Sequence, residues 1–426
     1  MNHLNKLLLL SLTLIYVSCG KVTTEQEKVD KSADSFAAIV GETLPDWSEG
    51  CLDIHSINSA RGECTFYILP DGTTMLVDAG EFIANTATGA LDDGENPMTQ
   101  KPNATTRPFK VYTNYIKHFL SATGKSYIDY MNLSHFHMDH MGESESSYIT
   151  SSKGYVLTGL SAVYAEVPFK KIVDRGYPNY DNLLTAEQTT SPSASNTPNY
   201  IKFVKYVTAK DGVTAERFKV GSSNQFTLIQ TPSKYSDFKI TNIVSNGSIW
   251  DGTRVESYST GSENATSCGF LMTYGKFDWF TAGDLVGTPA PNAAQAAVAL
   301  SNGRIDATKA NHHMSANAMT SNYMSVLMPC TIVNQSFYQK QPDVDVLTRI
   351  LSNTDYMGIK NVFLTNIHDN ILSQHPDLFA TGGVTGYSGH IVIRVKPGGS
   401  EYYVYILDDT DMTYRVKAIY GPYTSK

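Results

Sequence analysis

The sequence predicts an α+β domain in which two packed β-sheets are flanked by helices. Short apolar runs typical of strands recur along the chain, with helical patterns interspersed between them. Apolar residues make up 41% of the 426 residues, enough for a large core. Length alone allows two or three domains. However, the motifs that carry chemistry extend from Asp78 to His313, so we expect them to converge in one domain covering residues 47–426.

The first sheet is predicted to begin with two strands, Thr65–Leu69 and Thr74–Val77. Pro70-Asp71-Gly72 supplies the turn between them. Asp78 ends the second strand and is expected at the sheet edge where the functional loops meet. Apolar residues at helical spacing between positions 111 and 119 predict a helix before the next strand.

A histidine-rich loop follows that strand, which is predicted over residues 127–133. Three imidazoles and a carboxylate fall within six residues, although the whole chain has only 11 histidines. A loop leaving a strand can turn alternate side chains to one side. His135 and His137 can then bind one metal ion, while Asp139 and His140 face a second. Such ligands favour zinc first, then manganese or iron. The alternative is that no metal binds and that the histidines of this polar loop only make hydrogen bonds.

A β-hairpin is predicted from Cys268–Thr273 and Phe277–Phe280. It leads to Asp284, which we expect at the same sheet edge as the histidine loop. A carboxylate there can bridge two metal ions about 3.5–4 Å apart, as two-metal hydrolysis requires. The alternative is an aspartate that caps a helix.

The remaining chain alternates helices and strands. Ala293–Leu300 is alanine-rich and helical, and a strand over Ile305–Lys309 leads to the paired His312 and His313. Residues 143–262 carry a weaker pattern, which we interpret as a long insertion supplying walls or a lid over the metals. Arg175, within that segment, could hold an anion there; a solvated loop is the alternative.

The motifs together resemble the metallo-β-lactamase superfamily. His-x-His-x-Asp-His at residues 135–140 is similar to its metal-binding signature, and the motif order resembles the branch containing the hydrolase domain of the competence protein ComEC. The other matching segments are Gly62–Gly72, Asp78-Ala79-Gly80, Gly283-Asp284-Leu285 and His312-His313-Met314-Ser315. The resemblance covers roughly residues 50–410 and implies a metallo-β-lactamase-like αββα sandwich of two mixed sheets flanked by helices.

The resemblance also implies a metal-dependent hydrolase whose metal-bound hydroxide attacks a phosphoester, in particular a diester. Asp78 is implied to support the metal loop by hydrogen bonding rather than by binding metal. Asp139 would bind the second metal and orient or deprotonate the water. One of His312 and His313 would complete the second site, and the other would contact substrate or protonate a leaving group. Which histidine has which role stays open.

The sequence departs from the superfamily pattern at two places. No histidine lies between His140 and Asp284, where most binuclear members have another ligand. The first metal is left with His135, His137 and the shared Asp284, completed by water or another residue, so we expect it to bind more weakly. This gap argues against a β-lactamase or a glyoxalase II. Met314 stands where the branch has glycine and is expected to narrow the approach to the metals.

The N-terminus predicts export. An apolar core over Leu7–Val17 is too short to span a membrane and has the form of a secretory signal. Cys19 follows it, in a context that resembles a lipoprotein cleavage site. We therefore expect a signal over residues 1–19, a flexible tether over 20–46, and a lipid anchor on the periplasmic or cell-surface side. The alternative is secretion with an unmodified Cys19.

The other cysteines permit up to two disulfide bonds in an oxidising compartment, or are buried thiols. They are Cys51, Cys64, Cys268 and Cys330.

The formal charge of −8 argues against nonspecific nucleic-acid binding. The expected partners are a small-molecule or phosphoester substrate and, through the lipid, a membrane. Two alternatives stay open: an ester or lactone hydrolase, and a non-catalytic surface lipoprotein that keeps its metals for stability.

Overall fold

Two nine-stranded mixed β-sheets form the centre of the computed structural model. The structure describes residues 35–82, 96–180, 196–301, 303–352, 354–358 and 360–426. The predicted signal, Cys19 and the first part of the tether lie outside the described residues. No helix within the described ranges is long and apolar enough to cross a membrane.

The strands of the described residues are, in chain order, β1 (Leu52–Ser56), β2 (Thr65–Ile68), β3 (Thr74–Val77), β4 (Ile128–Asn132), β5 (Phe169–Asp174), β6 (Thr214–Arg217), β7 (Phe238–Ser245), β8 (Ser248–Trp250), β9 (Val255–Ser257), β10 (Gly269–Tyr274), β11 (Phe277–Thr281), β12 (Ala307–Lys309), β13 (Thr331–Asn334), β14 (Asn361–Leu364), β15 (Gly386–Tyr387), β16 (His390–Val395), β17 (Glu401–Leu407) and β18 (Val416–Thr424). The first sheet has the order β18-β17-β16-β1-β2-β3-β4-β5-β6, and the second β15-β14-β13-β12-β11-β10-β7-β8-β9.

Helices cover both outer faces of the sheet pair. The α-helices of the described residues are α1 (Pro108–Leu120), α2 (Met138–Met141), α3 (Gly159–Glu166), α4 (Asn196–Lys210), α5 (Pro289–Leu300), α6 (Ser321–Leu327), α7 (Val344–Leu351) and α8 (Asp369–Gln374). Helices α1, α3 and α4 pack on the first sheet, and α5, α6 and α7 on the second. The predicted αββα sandwich is confirmed.

Alternation along the strands builds three apolar layers. In β2, Phe66 and Ile68 point to the helices outside the first sheet, while Tyr67 points between the sheets. There it meets β11, where Trp279 donates from its indole Nε1 to the Tyr67 hydroxyl at 3.3 Å. Because both sheets bury both faces, their strands read as nearly continuous apolar runs.

Parallel strands place the functional loops at one edge. β3 pairs in parallel with β4, and β11 pairs in parallel with β12. The carboxyl ends of parallel strands meet at the same edge of a sheet. Asp78, the histidine loop, Asp284 and the histidine pair therefore leave the sandwich side by side.

The segment predicted as an insertion, residues 143–262, forms part of both sheets. This segment supplies β5 and β6 to the first sheet and β7, β8 and β9 to the second. Its weak pattern has a physical reason. The edge strand β6 is largely exposed, and β8 and β9 have three residues each, so they carry little hydrophobic alternation.

The predicted tether also extends too far along the chain. Leu44 is buried, and Thr43 forms a β-bridge with Arg415. The buried guanidinium of Arg394 donates from Nη1 to the carbonyls of Ser35 (2.7 Å) and Pro45 (2.8 Å). Packed structure thus begins by Ser35 rather than near residue 47.

All four cysteines among the described residues are free thiols. Burial raises the pKa of the Cys64 and Cys268 thiols, which disfavours the reactive thiolate. Of the two interpretations, the structure therefore favours thiols over disulfide bonds.

Candidate metal centre

Asp78 fixes both ends of the histidine loop. Its Oδ1 accepts from the backbone N–H of Ser134 at 2.7 Å, and its Oδ2 accepts from the Ser134 hydroxyl at 2.7 Å. The same Oδ2 lies 2.8 Å from His140 Nδ1. A carboxylate in this place keeps a proton on Nδ1 and aims Nε2 away from itself. Asp78 is fully buried and supports the loop by hydrogen bonding, the position expected from the sequence.

Four side chains converge next to His140 Nε2. The Nε2 atoms of His140 and His313 each lie 3.1 Å from Asp284 Oδ2. Asp139 Oδ2 lies 3.6 Å from the first of these nitrogens and 3.3 Å from the second. Neither nitrogen has a well-aligned hydrogen-bond partner among the described residues, although both are buried. These side chains surround one small polar space.

His135 and His137 form a second group beside the same Asp284 oxygen. His135 Nε2 is 3.8 Å from Asp284 Oδ2 and 3.0 Å from His137 Nδ1. His135 is fully buried, whereas His137 is half-buried. Among the described residues, fewer side chains converge on this half of the centre than on the Asp139 half.

The structure separates the two adjacent histidines. His313 Nδ1 lies 3.0 Å from the Gln335 carbonyl, which directs its Nε2 to Asp284. The ring of His312 instead lies between two amides, with Nδ1 2.8 Å from Asn317 Oδ1 and Nε2 3.1 Å from Asn264 Nδ2. Both histidines have positive φ, +45° and +52°, which turns consecutive rings to different sides.

Met314 does not narrow the approach to the centre. It also has a positive φ, +56°, but it is fully buried in the apolar layer between the second sheet and its helices. That part of the sequence interpretation is wrong, because the side chain points into the core.

Glu63 and Lys309 form a buried ion pair that sequence reasoning missed. Lys309 Nζ donates to Glu63 Oε2 at 2.6 Å and to the Gly283 carbonyl at 2.7 Å, and lies 3.6 Å from Asp284 Oδ1. Asp284 thus turns one oxygen to the lysine and the other to the histidines. Burial opposes the charge on Lys309, but the carboxylates of Glu63 and Asp284 raise its pKa, so it stays protonated.

Glu63 also belongs to a tighter group of candidate ligands. Ligand atoms of Glu63, His140, Asp284 and His313 all lie within 4.8 Å of one another. However, Glu63 Oε2 is bonded to Lys309 and approaches His313 at Nδ1 (3.4 Å) rather than at Nε2. Asp139, which faces both Nε2 atoms, is the better fourth ligand of the two.

The charges in the centre are strongly coupled. Burial opposes ionisation of Asp284, but His140 and His313 hold its pKa well below the usual range. Burial also opposes ionisation of Asp139, but His140 and His313 lower its pKa to about 2. Burial and the neighbouring imidazoles lower the pKa of His135. The carboxylates are thus ionised at neutral pH, and His135 keeps a free lone pair.

Arg175 is not available to hold an anion near the centre, contrary to the sequence interpretation. Its guanidinium donates to Glu263 Oε1 from Nε (2.9 Å) and Nη2 (2.6 Å), and it lies over the Phe136 ring. Glu263 Oε1 also accepts from the backbone N–H of Phe136 at 2.9 Å. The Arg175 and Glu263 side chains are 3% exposed or less, and they stabilise the loop between His135 and His137.

The donor set fits a divalent cation. Buried imidazole nitrogens that have no aligned partner in the described part of the chain face ionised carboxylates, and a cation between them would satisfy both kinds of group. The same side chains would otherwise leave several polar atoms buried without partners.

No protein-family model and no characterised protein matches the chain. Among solved structures, a point mutant of the β-hydroxylase CmlA is similar over 82% of this chain, with 11% identity and a TM-score of 0.37; the chain spans only 55% of that protein. Zinc-bound PqqB from Methylobacterium extorquens is similar over 78% of this chain and 87% of its own, with 13% identity and a TM-score of 0.34.

A diphosphatase of the PhnP family is similar over 80% of this chain and 96% of its own, with 9% identity and a TM-score of 0.33. The three solved proteins are members of the metallo-β-lactamase superfamily. Because these TM-scores are low, the architecture is assigned from the sheet order and helix positions of this chain.

Proposed function

We propose that this chain is a metal-dependent hydrolase of the metallo-β-lactamase superfamily and that its substrates are phosphoesters, in particular diesters. The observation that carries the proposal is the convergence of Asp139, Asp284, His140 and His313. The two buried Nε2 atoms have no aligned partner in the ranges that the structure describes. The motif order of the ComEC-like branch supports the choice of substrate class.

The proposal assigns two cation sites that share Asp284. The second site has Asp139, His140, Asp284 and His313, and the first has His135, His137 and Asp284. Zinc is the first candidate, and manganese or iron is next. A cation bound there would lower the pKa of a water molecule and polarise a phosphoryl oxygen of the substrate, whose phosphorus is the atom attacked.

The protein side chains then orient the reactants. Asp139 is 14% exposed, so its carboxylate can reach both the centre and an incoming water. With a pKa of about 2 it is ionised at neutral pH and can orient that water by accepting a hydrogen bond from it. His312 is half-buried beside the centre and is assigned to substrate contact.

Cationic side chains near the centre are already paired. Lys309 is bonded to Glu63, and Arg175 is bonded to Glu263. The negative charge of a phosphoester would therefore be neutralised by the bound cations rather than by these side chains.

The proposal includes export and a lipid on Cys19, on the basis of the signal-like N-terminus. The anchor would hold the hydrolase at the periplasmic or cell-surface side of a membrane.

Hydrolysis of bis-p-nitrophenyl phosphate, beside lactone and β-lactam panels, tests the activity. We expect chelator-sensitive cleavage of the phosphodiester alone. Asp139→Asn should lose nearly all of it, whereas Asp377→Asn, on an exposed turn, should not. Lactone cleavage without phosphodiester cleavage would refute the substrate class, and protein without bound transition metal would refute the metal centre.

A further inference from the structure

Lys309 ends β12 and lies buried beside the candidate metal centre, with a side chain that is 2% exposed. Its Nζ donates to Glu63 Oε2 at 2.6 Å and to the Gly283 carbonyl at 2.7 Å. The same Nζ lies 3.6 Å from Asp284 Oδ1. One ammonium group thus contacts two carboxylates and the backbone directly before Asp284.

The two carboxylates lie close enough to the histidines to close a metal site with them. Ligand atoms of Glu63 and Asp284 lie within 4.8 Å of those of His140 and His313. Glu63 Oε1 and Asp284 Oδ1 are buried and have no hydrogen-bond partner in the described part of the chain. Four protein ligands around one cation are typical of closed, structural zinc sites. The ammonium group instead draws Glu63 Oε2 and Asp284 Oδ1 toward itself.

Stability alone does not explain a lysine at this position. Burial of an ion pair removes both charges from water, and this desolvation offsets most of their attraction. An apolar pair of similar volume is often equally stable. The position of the Lys309 charge, between the carboxylates and the backbone of the centre, therefore points to a role in the centre itself.

The Lys309 ammonium group and a bound cation compete for the same carboxylates. We infer that Lys309 is a positioning residue that holds back Glu63 and Asp284 Oδ1, so that Asp284 offers only Oδ2 to the cations. Catalytic metal sites keep a coordination position free for water or substrate, whereas structural sites are closed by protein ligands. Lys309 keeps the centre open in this sense, and the inference rests on the metal centre proposed above.

Loss of the Lys309 charge should therefore tighten cation binding. Lys309→Met releases both carboxylates and adds one net negative charge beside the cations, which attracts them more strongly. A lysine that only supported the fold would have the opposite effect, because a loosened site binds cations less well. Lys309→Arg keeps the positive charge and should not tighten binding.

Titration of Zn²⁺ into chelator-stripped full-length protein measures these affinities by calorimetry, without any substrate. Lys309→Met should bind its tighter ion roughly tenfold more strongly than wild type.

Lys125→Met is the matched control. Lys125 Nζ also donates to one carboxylate, Asp129 (2.6 Å), and to one glycine carbonyl, Gly72 (2.9 Å), and its side chain is 9% exposed. Asp129 lies near the start of β4, whereas the histidine loop follows the end of that strand. Lys125→Met should leave the Zn²⁺ affinity unchanged.

The outcomes separate this inference from the proposed function. Unchanged or weaker binding in Lys309→Met, or equal tightening in Lys309→Arg or Lys125→Met, overturns the inference and leaves the hydrolase standing. If Lys309→Met does not fold, Lys309→Met with Glu63→Leu leaves no unpaired glutamate and should bind Zn²⁺ more tightly than Glu63→Leu alone. Equal affinities of those two variants also overturn the inference. No Zn²⁺ bound by wild type refutes the metal centre itself.

Discussion

Removal of the Lys309 charge is expected to destabilise the metal-free protein strongly. Lys309→Met keeps most of the side-chain volume but deletes the ammonium group that Glu63 and the Gly283 carbonyl share. Glu63 Oε1 already has no hydrogen-bond partner among the described residues. The substitution would therefore leave a carboxylate that is 1% exposed without its main partner at either oxygen.

The expected magnitude follows from that burial. Deleting one partner of a buried ion pair typically costs about 3–5 kcal/mol, because the remaining charge stays buried. Removing Glu63 as well removes that charge, so Lys309→Met with Glu63→Leu should lie within about 2 kcal/mol of wild type. The remaining loss reflects the Gly283 carbonyl, which loses its donor.

Denaturant unfolding at pH 7 in excess chelator measures these free energies. Lys153→Met is the control, because the Lys153–Asp211 pair is partly exposed and should contribute about 1 kcal/mol or less. The prediction is contradicted if Lys309→Met lowers the free energy of unfolding by no more than the Lys153→Met control does. It is also contradicted if the Lys309→Met, Glu63→Leu double variant is as unstable as Lys309→Met alone.

Two further predictions concern acid stability and membrane attachment. Burial lowers the pKa of His390 to about 3, and its Nδ1 accepts from the backbone N–H of Asn58 at 3.0 Å. The folded state therefore binds fewer protons than the unfolded state, whose histidine titrates near 6.5. Stability from this group is present above pH 6.5 and is lost as the pH falls toward 3; a His390→Gln variant should show a flatter decline in denaturant midpoint over that range. Cys19→Ala should move the protein from the membrane fraction to the soluble fraction, and a wild type that is already soluble with an unmodified cysteine would contradict the anchor.

The strands and loops at the centre could be predicted because their signals are local. Apolar runs before Asp78 and His135, and the hairpin before Asp284, each lie within a few residues of the side chain that they position. The missing histidine is visible by inspection of the sequence, and the unequal affinity of the two metal sites that it implies stays a prediction. Whether those side chains bind metal remains a prediction.

Other parts of the centre could not be predicted because they depend on distant contacts. Glu63 and Lys309 are 246 residues apart, and neither has a local pattern that marks a buried charge. His312 and His313 are adjacent and chemically identical, so only their backbone angles separate their roles.

The first described residues of the chain are fixed at one end of the sandwich. Arg394 holds the Ser35 carbonyl and pairs with Asp53 at the start of β1. Strands β1 and β3 run in the same direction, since both are antiparallel to β2. The beginning of β1 is therefore at the opposite end of the sandwich from Asp78. The chain before Ser35, which would carry the proposed lipid, therefore joins the domain at the end away from the candidate metal centre and leaves that edge open to large substrates.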